Sequence, residues 1–497
     1  MSDAVGLAII GAGPAGMSAA IAAREHGTDV LVLDEQAAPG GQIYRNVEAV
    51  TAERPSVARV LGEDYMAGAA LTRAFRECGA QYLPRTSVWE VSTVARREDG
   101  KAPLELGIVR DGIAEIVYAH CVIVATGAQE RPVPVPGATL PGAMGVGGAQ
   151  SLLKGAGLVP DVPFVIAGSG PLVYLVAWQL VCAGAPVRAL LLTMPTGRTW
   201  RAVGTLPEAL AMPGALRKGI GWRLAIAGRG VKVMHVTDLS IEGREQVRSV
   251  RFRHRGRERS MQTSLVLLHE GVIPNAHLTL AAQLDHVWDA PRHAFRPAVD
   301  EWGSAGESGV LVAGDGACIL GAEAAMESGR IAALEAAYRL GRLRLQHRDA
   351  LARRHRASLA RQRRFREFLD FAFEPAAAVL RPSDPGVTVC RCEEVTVAEI
   401  ERVIGHGCPG PNQAKAFTRC GMGPCQGRMC ATVVSEMFAE RRRVGVGAVG
   451  HYRIRPPVKP LTVGELATLE GTGTAPVDLA SAPIRPGRGD EPSIECA

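Results

Sequence analysis

The sequence predicts an α/β protein that ends in a small, mainly helical domain. Residues 6–35 and 163–193 each show an apolar strand, a glycine-rich turn, a helix and a second strand. This order is typical of Rossmann-like dinucleotide-binding domains. A third observation is that six of the 11 cysteines lie between Cys390 and Cys430, where Thr396 and Glu399 form a capping box that opens a helix. We therefore expect two nucleotide-type domains, the second inserted into the first, followed by a cysteine domain.

The composition is that of an ordinary soluble globular protein. Hydrophobic residues make up 47% and charged residues 21% of the 497 positions, and the formal net charge is +6. No basic face is interleaved with aromatic residues, so we expect no nucleic-acid partner. The most apolar stretch, residues 162–192, is interrupted by glycine and proline and predicts no transmembrane segment. No secretory signal precedes the first strand, so we expect a cytoplasmic protein whose cysteines serve metals or redox chemistry.

The first glycine loop fits a dinucleotide fingerprint. Gly11 permits the tight turn, Gly13 lets the backbone approach a pyrophosphate, and Gly16 lets the helix pack on the strand. Free N–H groups at the start of the helix suit phosphate oxygens. Asp34 ends the second strand, where a carboxylate can accept hydrogen bonds from a ribose. Glu35 is an adjacent rival, and either acid can also simply end the strand.

Residues 5–340 resemble the two-dinucleotide-domain flavoproteins of the disulfide reductase superfamily. Besides the first loop, the resemblance rests on Gly-Gly-Gln at 40–42, Ala-Thr-Gly at 125–127 and Gly-Asp at 314–315. It implies that the first loop binds the ADP half of FAD and that Asp315 lies on the ribityl or phosphate side of the flavin. Asp315 also precedes an alanine-rich helix, which its side chain can cap. The cofactor contacts that follow from the resemblance and the first loop are Gly11, Gly13, Pro14, Ala15, Gly16, Asp34, Glu35, Gly41, Gln42, Arg45, Ala125, Thr126, Gly127, Gly314 and Asp315.

The second glycine loop, residues 168–173, is degenerate. Val173 stands where the third small residue belongs, and the following strand ends at Thr193 without a carboxylate. We therefore expect no routine NADH turnover. Arg198 and Arg201 are candidate phosphate contacts for another nucleotide, or are surface residues. No cysteine pair accompanies the flavin motifs, which excludes disulfide reduction.

The cysteine pattern predicts a metal centre. Cys390 and Cys392 are separated by residues 393–424 from a second pair, Cys425 and Cys430. Four thiolates suit zinc or an iron–sulfur cluster, and the spacing departs from the two-residue knuckles of zinc sites. The segment resembles bacterioferritin-associated-ferredoxin-like [2Fe–2S] domains, which implies these four cysteines as ligands. Cys420, just before Cys425, competes with Cys430 for the fourth position.

Two further motifs narrow the resemblance. Gly-Gly-Gln-Ile-Tyr-Arg at 40–45 and Gly-Met-Gly-Pro-Cys-Gln-Gly-Arg at 421–428 occur together in the larger subunit of hetero-oligomeric, dye-linked dehydrogenases for opines, hydroxyproline and proline. Cyanide synthase is a more distant relative, and the resemblance covers nearly the whole chain. It implies an electron-transfer oxidoreductase subunit with FAD and a [2Fe–2S] cluster. Its partner would be a smaller FAD-containing dehydrogenase subunit.

The same resemblance allows a further small subunit, an FMN at a subunit interface and peripheral contact with the inner face of a membrane. Two other functions stay open: an NAD(P)H-dependent reductase that feeds its own cluster, and a non-catalytic iron–sulfur scaffold. We identify no catalytic residues. His269 and Glu270 belong to a segment that resembles the turn returning the superfamily chain to its FAD domain.

The expected domains follow from these motifs. The FAD domain comprises residues 1–140 and 276–345, and the degenerate NAD(P)-like domain comprises residues 141–275. An Arg-rich helical connector spans residues 346–384; it is either a solvated helix or a docking surface. The [2Fe–2S] domain spans residues 385–445 and a Pro-rich tail residues 446–497.

Overall fold

The first domain is built on a mainly parallel sheet. The structure is a computed structural model that describes residues 4–94, 102–195 and 202–469. Val5–Ile10 lies at the centre of the sheet and pairs in parallel with both of its neighbours. Val5–Ile10 and Val30–Leu33 are almost entirely buried, as expected for central parallel strands that helices cover on both faces. Across the sheet the strands follow the order Gln81–Leu83, Val30–Leu33, Val5–Ile10, Ile113–Val124, Leu104–Arg110 and Thr86–Ser92, and Val310–Val312 pairs with the end of Ile113–Val124.

Two alanine-rich helices, Pro14–Glu25 and Ala322–Arg339, pack closely on one face of this sheet. Gly329 makes the close approach possible, because a Cβ atom there would lie 2.1 Å from the carbonyl oxygen of Ala15. We expected the second helix to follow Gly314 and Asp315 directly. Instead a short 3-10 turn, Gly314–Gly316, intervenes and the helix begins at Ala322. Shorter helices complete the domain: Val47–Glu53, Pro55–Leu61, Glu63–Met66, Gly68–Glu77 and His277–Ala281.

The second domain contains another parallel sheet, and its insertion into the first domain confirms the predicted fold class. The strand order is Lys232–His235, Val187–Leu192, Phe164–Ser169, Val266–Glu270 and Ala143–Gly145. The sequence did not predict the antiparallel sheet of Thr237–Gly243, Val247–His254 and Arg257–Gln262. Ala128–Glu130 pairs with Val272–Pro274, so the two domains are joined by a two-stranded link. The helices of the domain are Val146–Ala156, Pro171–Cys182, Leu206–Ala209 and Pro213–Gly228.

A hairpin follows this link, and after the last strand and helix of the first domain a long helix leads to the C-terminal region. The hairpin pairs His286–Asp289 with Ala294–Pro297, and the Arg-rich helix runs over Leu345–Ala372. Arg348 anchors this helix, because its buried guanidinium bonds Glu335 at 2.6 Å and stacks 3.9 Å above the ring of Trp302. In the described parts of the chain, no helix is both long and apolar enough to cross a bilayer.

The cysteine domain is mainly helical, as predicted. A small hairpin, Thr388–Cys390 with Val395–Thr396, precedes the first helix. The expected capping box is present, since the Thr396 N–H donates to the Glu399 carboxylate at 2.9 Å. Tyr452, from beyond the expected boundary at residue 445, packs in the same core. The helices are Val397–Gly405, Pro411–Thr418, Ala431–Arg442, Val446–Val449 and Val463–Ala467, with the four-residue Ala377–Leu380 before them.

Candidate cofactor sites

The glycines of the first loop play two different structural roles. A Cβ atom at Gly16 would lie 1.8 Å from the carbonyl oxygen of Gly11, and one at Gly11 would lie 2.5 Å from that of Ala125. These two glycines are needed for packing. Gly13 differs, because a Cβ atom there would meet only the Cα atom of Gly41, at 3.8 Å. Gly13 therefore borders open space at the start of the helix, where a phosphate would be held.

The other predicted flavin motifs surround this loop. A Cβ atom at Gly41 would lie 2.9 Å from the Cα atom of Gly13, and one at Gly314 would lie 2.8 Å from the Cβ atom of Ala15. Gly127 approaches the turn Gly314–Gly316, since its carbonyl oxygen would lie 3.5 Å from a Cβ atom at Gly316. Segments distant in sequence thus meet around one glycine loop, which fits a dinucleotide flavin.

Of the two adjacent acids, only Asp34 reaches the loop. Its carboxylate accepts hydrogen bonds from the Ala12 N–H and, at 2.6 Å, from the Gln36 N–H. Burial raises the pKa of Asp34, and these two N–H groups oppose that shift. Glu35 instead points outward and pairs with Lys459. The geometry therefore favours Asp34 as the ribose acceptor.

Asp315 stabilises the turn that leads into the alanine-rich helix. Its Oδ1 atom accepts hydrogen bonds from the N–H groups of Leu320, at 2.9 Å, and Gly321, at 3.1 Å. The sequence left open that the Asp315 side chain caps the alanine-rich helix. In the structure its carboxylate instead binds the N–H groups of the last two residues before that helix, which begins at Ala322.

A buried lysine near the flavin motifs was not found by sequence reasoning. Lys154, on the helix Val146–Ala156, donates to the carbonyl oxygen of Gln42 at 3.0 Å and to the amide oxygen of Gln150 at 3.1 Å. Burial, helped by the nearby charge of Arg45, lowers the pKa of Lys154 to about 7. The Arg45 guanidinium itself bonds the Gln42 side chain at 3.1 Å. A single lysine in a helix carries no motif, so no sequence signal marked it.

The second glycine loop is covered by the chain itself. Gly168, Ser169 and Gly170 are buried, and the Ser169 hydroxyl donates to the carbonyl oxygen of Glu374 at 3.4 Å. Glu270, at the end of a neighbouring strand, accepts hydrogen bonds from the Thr193 hydroxyl and the Ala376 N–H. The connector thus packs over the carboxyl edge of the second sheet, where a dinucleotide would bind. The candidate phosphate contacts Arg198 and Arg201 lie outside the described residues.

His269 is buried beside this loop. Its Nδ1 atom lies 2.6 Å from a carboxylate oxygen of Glu130, which also accepts the Gly147 N–H at 3.0 Å. Just beyond it, the Asn275 N–H donates to the carbonyl oxygen of Gly127 at 2.9 Å, returning the chain to the first domain. The arrangement matches the structural turn expected from the sequence.

The cysteine domain contains a buried group of three sulfurs and a separate hydrogen-bonded pair. The sulfurs of Cys390, Cys420 and Cys430 lie within 4.8 Å of one another and are buried. Cys392 is hydrogen-bonded to Cys425 nearer the surface. Hydrogen bonds from Cys420 and Cys430 lower the pKa of Cys390 to about 2, and donation to Cys390 raises the pKa of Cys420 to about 12. Three thiols this close lose a proton more readily as a group, and the set is chemically suited to a thiophilic metal.

Three glycines shape this centre. A Cβ atom at Gly423 would lie 2.3 Å from the Cβ atom of Cys392. The Gly421 N–H donates to the Cys390 sulfur. Gly421 and Gly427 also have left-handed backbones, with φ of +84° and +82°, and both make room for the ring of Tyr452.

The two candidate centres are linked by hydrogen bonds. The Gln129 side chain, two residues after Gly127, donates to the carbonyl oxygen of Arg428 at 2.9 Å. The Nε2 atom of His277 lies 3.2 Å from the carbonyl oxygen of Gln426. Burial lowers the pKa of His277 to about 3, so this imidazole is neutral and can donate. The loop between Cys425 and Cys430 is thus held against the segments that line the flavin motifs.

Comparison with known proteins agrees with this architecture. Residues 6–341 match the family model for pyridine nucleotide-disulphide oxidoreductases, and residues 388–469 match the sarcosine oxidase A3 domain. The A-subunit of opine oxidase from Agrobacterium tumefaciens is 44% identical over 96% of this chain and 94% of its own length. The chain belongs to the pyridine nucleotide-disulphide oxidoreductase family and, within it, to the opine oxidase A-subunit group.

One further sequence relative and one solved structure are similar to this pyridine nucleotide-disulphide oxidoreductase chain. The HcnB subunit of hydrogen cyanide synthase from Pseudomonas aeruginosa is 33% identical over 91% of this chain and 96% of its own length. The crystal structure of L-proline dehydrogenase from P. horikoshii shares the fold, with a TM-score of 0.66 and 19% identity over 93% of this chain and 79% of that one. The predicted resemblance is confirmed. The family also implies FAD as a cofactor, and the chain is an oxidoreductase of the flavoprotein type.

Sequence reasoning missed several residues of these sites. Arg131 is fully buried and ties three carbonyl oxygens together, those of Glu270, Arg292 and His293. Tyr452 lies within the match to the sarcosine oxidase A3 domain, yet beyond the cysteines that defined the expected domain. Tyr452 falls in the expected Pro-rich tail, where no sequence pattern signalled a contact with the sulfurs.

Proposed function

We propose that this chain is the electron-transfer subunit of a hetero-oligomeric dehydrogenase that oxidises a C–N bond in opines, hydroxyproline or proline. The observation that carries the proposal is the pair of hydrogen bonds from Gln129 and His277 to the Cys425–Cys430 loop. These bonds hold the cysteine-rich loop against the segments that carry the flavin motifs. Such an arrangement is what a protein needs to hold two redox groups in fixed relation to each other.

FAD would be held by the first loop. Gly13 leaves room at the helix start, Asp34 offers a carboxylate at the end of its strand, and Asp315 fixes the opposing turn. Gln42, Arg45 and Thr126 are proposed to complete the surroundings of the flavin. Bound there, FAD supplies chemistry that accepts electrons in pairs and releases them singly.

Cys390, Cys392, Cys425 and Cys430 are the proposed ligands of a [2Fe–2S] cluster, which supplies one-electron redox chemistry. Support comes from the close contact of the Cys390 sulfur with that of Cys430, which Cys420 shares, and from the hydrogen bond between Cys392 and Cys425. We therefore expect Cys425→Ser and Cys430→Ser to lose the EPR signal of the reduced cluster, while Cys420→Ser keeps it. The opposite result for Cys420 and Cys430 would reverse the assignment of the fourth ligand.

The substrate is proposed to react on a smaller, FAD-containing partner subunit. The relatives support this, because their names describe them as the A-subunit of opine oxidase and the alpha-subunit of sarcosine oxidase. A further small subunit, an FMN at the subunit interface and a cytoplasmic location beside the membrane are parts of the same proposal.

The test is purification of the native complex, followed by a panel of opines, hydroxyproline and proline with an artificial dye as electron acceptor. We expect turnover with the complex and none with this chain alone, although the chain alone should contain flavin and iron. Dye-linked oxidation by the isolated chain would contradict the division of labour. Isolated chain without flavin would favour a scaffold instead.

A further inference from the structure

The helix Pro213–Gly228 of the second domain carries apolar side chains on two opposite sides, and the chain itself covers the inner side. Ile226 on this inner side is fully buried. Trp222 stacks on Trp178 of the neighbouring helix Pro171–Cys182, with the ring centroids 6.3 Å apart. These contacts attach the helix to the rest of the second domain, so the direction in which its outer side faces is fixed by the fold.

The outer side of this helix presents a row of aliphatic side chains. Leu216, Ile220 and Leu224 are spaced four residues apart, so they lie on one side of the helix. Leu224 is 68% exposed and Ile220 is 53% exposed, while Leu216 is half-buried. Single exposed apolar residues are common, but a helix that is apolar all round is normally covered all round. The row therefore indicates a surface that a partner covers.

The charges beside this row are positive. Arg217 and Arg223 are both exposed, and at 3.6 residues per turn they lie on either side of the row. Residues 213–232 contain no aspartate and no glutamate. Lys218, which pairs with Asp64 at 2.6 Å, lies on a different side of the helix. The partner that covers the row should therefore carry negative charge.

An anionic lipid surface fits this helix better than another protein does. Protein interfaces are enriched in aromatic side chains and methionine, and none of these is among the exposed residues of the helix. Helices that lie in a membrane interface have an apolar row that enters the headgroup boundary, and Lys and Arg side chains beside it that reach the phosphates. The aliphatic row with an arginine on each side matches this second pattern.

We propose that the helix Pro213–Gly228 lies flat on an anionic lipid surface. Ile220 and Leu224 enter the headgroup boundary, and Arg217 and Arg223 bind lipid phosphates. This inference deepens one part of the proposed function, the location beside the membrane, and it uses neither the flavin site nor the cysteine site. A helix held in this way stays parallel to the membrane and needs no segment that spans it.

Removing either component should weaken lipid binding by a defined factor. Leu224→Glu removes an aliphatic side chain from the boundary and places a negative charge among phosphates, so the affinity for vesicles should fall at least about 10-fold. Arg217→Gln combined with Arg223→Gln should weaken binding to anionic vesicles about 30-fold, since each cation near such a surface supplies about fivefold. The three positions are exposed, so folding should be preserved in both variants.

The experiment is sedimentation of the full-length holoprotein with sucrose-loaded vesicles. One set contains phosphatidylcholine alone, and the other contains equal parts of phosphatidylcholine and phosphatidylglycerol. Wild type should bind the anionic set more tightly, and high salt should weaken this binding. The matched control is Leu158→Glu, the same change at a 58% exposed leucine elsewhere in the second domain, which should bind like wild type. Thermal melting and flavin content are measured for every variant.

Four results would overturn the inference. Wild type could bind neither set of vesicles, or both sets equally, or the two leucine variants could lose binding to the same extent. The fourth result is that the row joins proteins: light scattering would then show wild-type dimers that Leu224→Glu dissociates, or the partner subunit would no longer co-purify with that variant.

The proposed function is tested separately, by dye-linked turnover of the native complex without vesicles. Turnover should be the same with Leu224→Glu as with wild type, because the helix acts on lipid and not on the reaction. No turnover in either complex would refute the proposed function and leave lipid binding as measured.

Discussion

Gly13→Val separates flavin binding from folding. Gly13 has φ −76° and ψ −175°, an extended backbone that valine adopts readily. A Cβ atom at this position meets only the Cα atom of Gly41 at 3.8 Å, an ordinary van der Waals contact. We expect the free energy of unfolding of the flavin-free protein to change by less than about 1 kcal/mol. The added methyl groups would occupy the space in which a pyrophosphate approaches the loop.

Binding of FAD should suffer much more than folding. We expect at least about 100-fold weaker binding, equivalent to about 2.7 kcal/mol. Gly16→Ala is the matched contrast, because its Cβ atom would lie 1.8 Å from the Gly11 carbonyl oxygen. Such an overlap needs a backbone shift and should cost about 3 kcal/mol or more of stability.

The assay has two parts. Flavin content after purification and FAD titration of the stripped protein report binding, and chemical unfolding of the stripped protein reports stability. Stripped protein is required because bound FAD would itself raise the apparent stability. A Gly13→Val variant that retains full FAD would show that the pyrophosphate lies elsewhere. A Gly16→Ala variant as stable as wild type would refute the roles assigned to the two glycines.

Three other predictions follow from the structure. Folding lowers the pKa of Lys154 from 10.5 to about 7, so between these pH values the unfolded chain binds one proton more than the folded protein. The free energy of unfolding should therefore rise with pH over this range, by up to about 5 kcal/mol. Chemical unfolding from pH 7 to 10 should show a shallower rise for Lys154→Met, and parallel curves would contradict the buried amine. Arg348→Ala should lose about 2 kcal/mol, because Trp302 loses its stacked guanidinium and the buried Glu335 keeps only Arg339 as an ion-pair partner. The exposed Arg353→Ala should change stability by less than about 0.5 kcal/mol, and equal melting shifts would argue against the anchor. Anaerobic NADH should leave the flavin oxidised, since the connector covers the second loop, and prompt bleaching would favour a self-sufficient reductase.

Local patterns made most of the fold predictable. The strand Val30–Leu33 and the flavin-side glycine loop follow from apolar runs and glycine spacing, both of which depend on neighbours in the sequence. The late start of the helix Ala322–Arg339 could not be predicted from local patterns. The turn before this helix is stabilised by the Asp315 side chain rather than by a helix-capping pattern. The antiparallel sheet in the second domain was missed because its strands are largely polar on one face and carry no turn motif that stood out.

The residues of the candidate sites also fall into those that local sequence patterns reveal and those that they do not. Motif residues such as Asp34 are found from sequence because they serve one local loop. Lys154 and Tyr452 escape such reasoning, since each acts through a partner far along the chain: the Gln42 carbonyl oxygen for the first and the Cys420 sulfur for the second. A side chain whose role is defined by a tertiary contact leaves no spacing to recognise.

The two-stranded link of Ala128–Glu130 with Val272–Pro274 is the natural hinge between the nucleotide-type domains, and here it is clamped. Gln129, within the link, and His277, just beyond it, hold the backbone of the cysteine loop. Any rotation of the second domain about this hinge would therefore pull on Gln426 and Arg428, which lie between Cys425 and Cys430. Rotation of the second domain relative to the first, which could bring a nucleotide to a flavin, is therefore disfavoured. The same two hydrogen bonds keep the cysteine loop at a fixed distance from the flavin motifs.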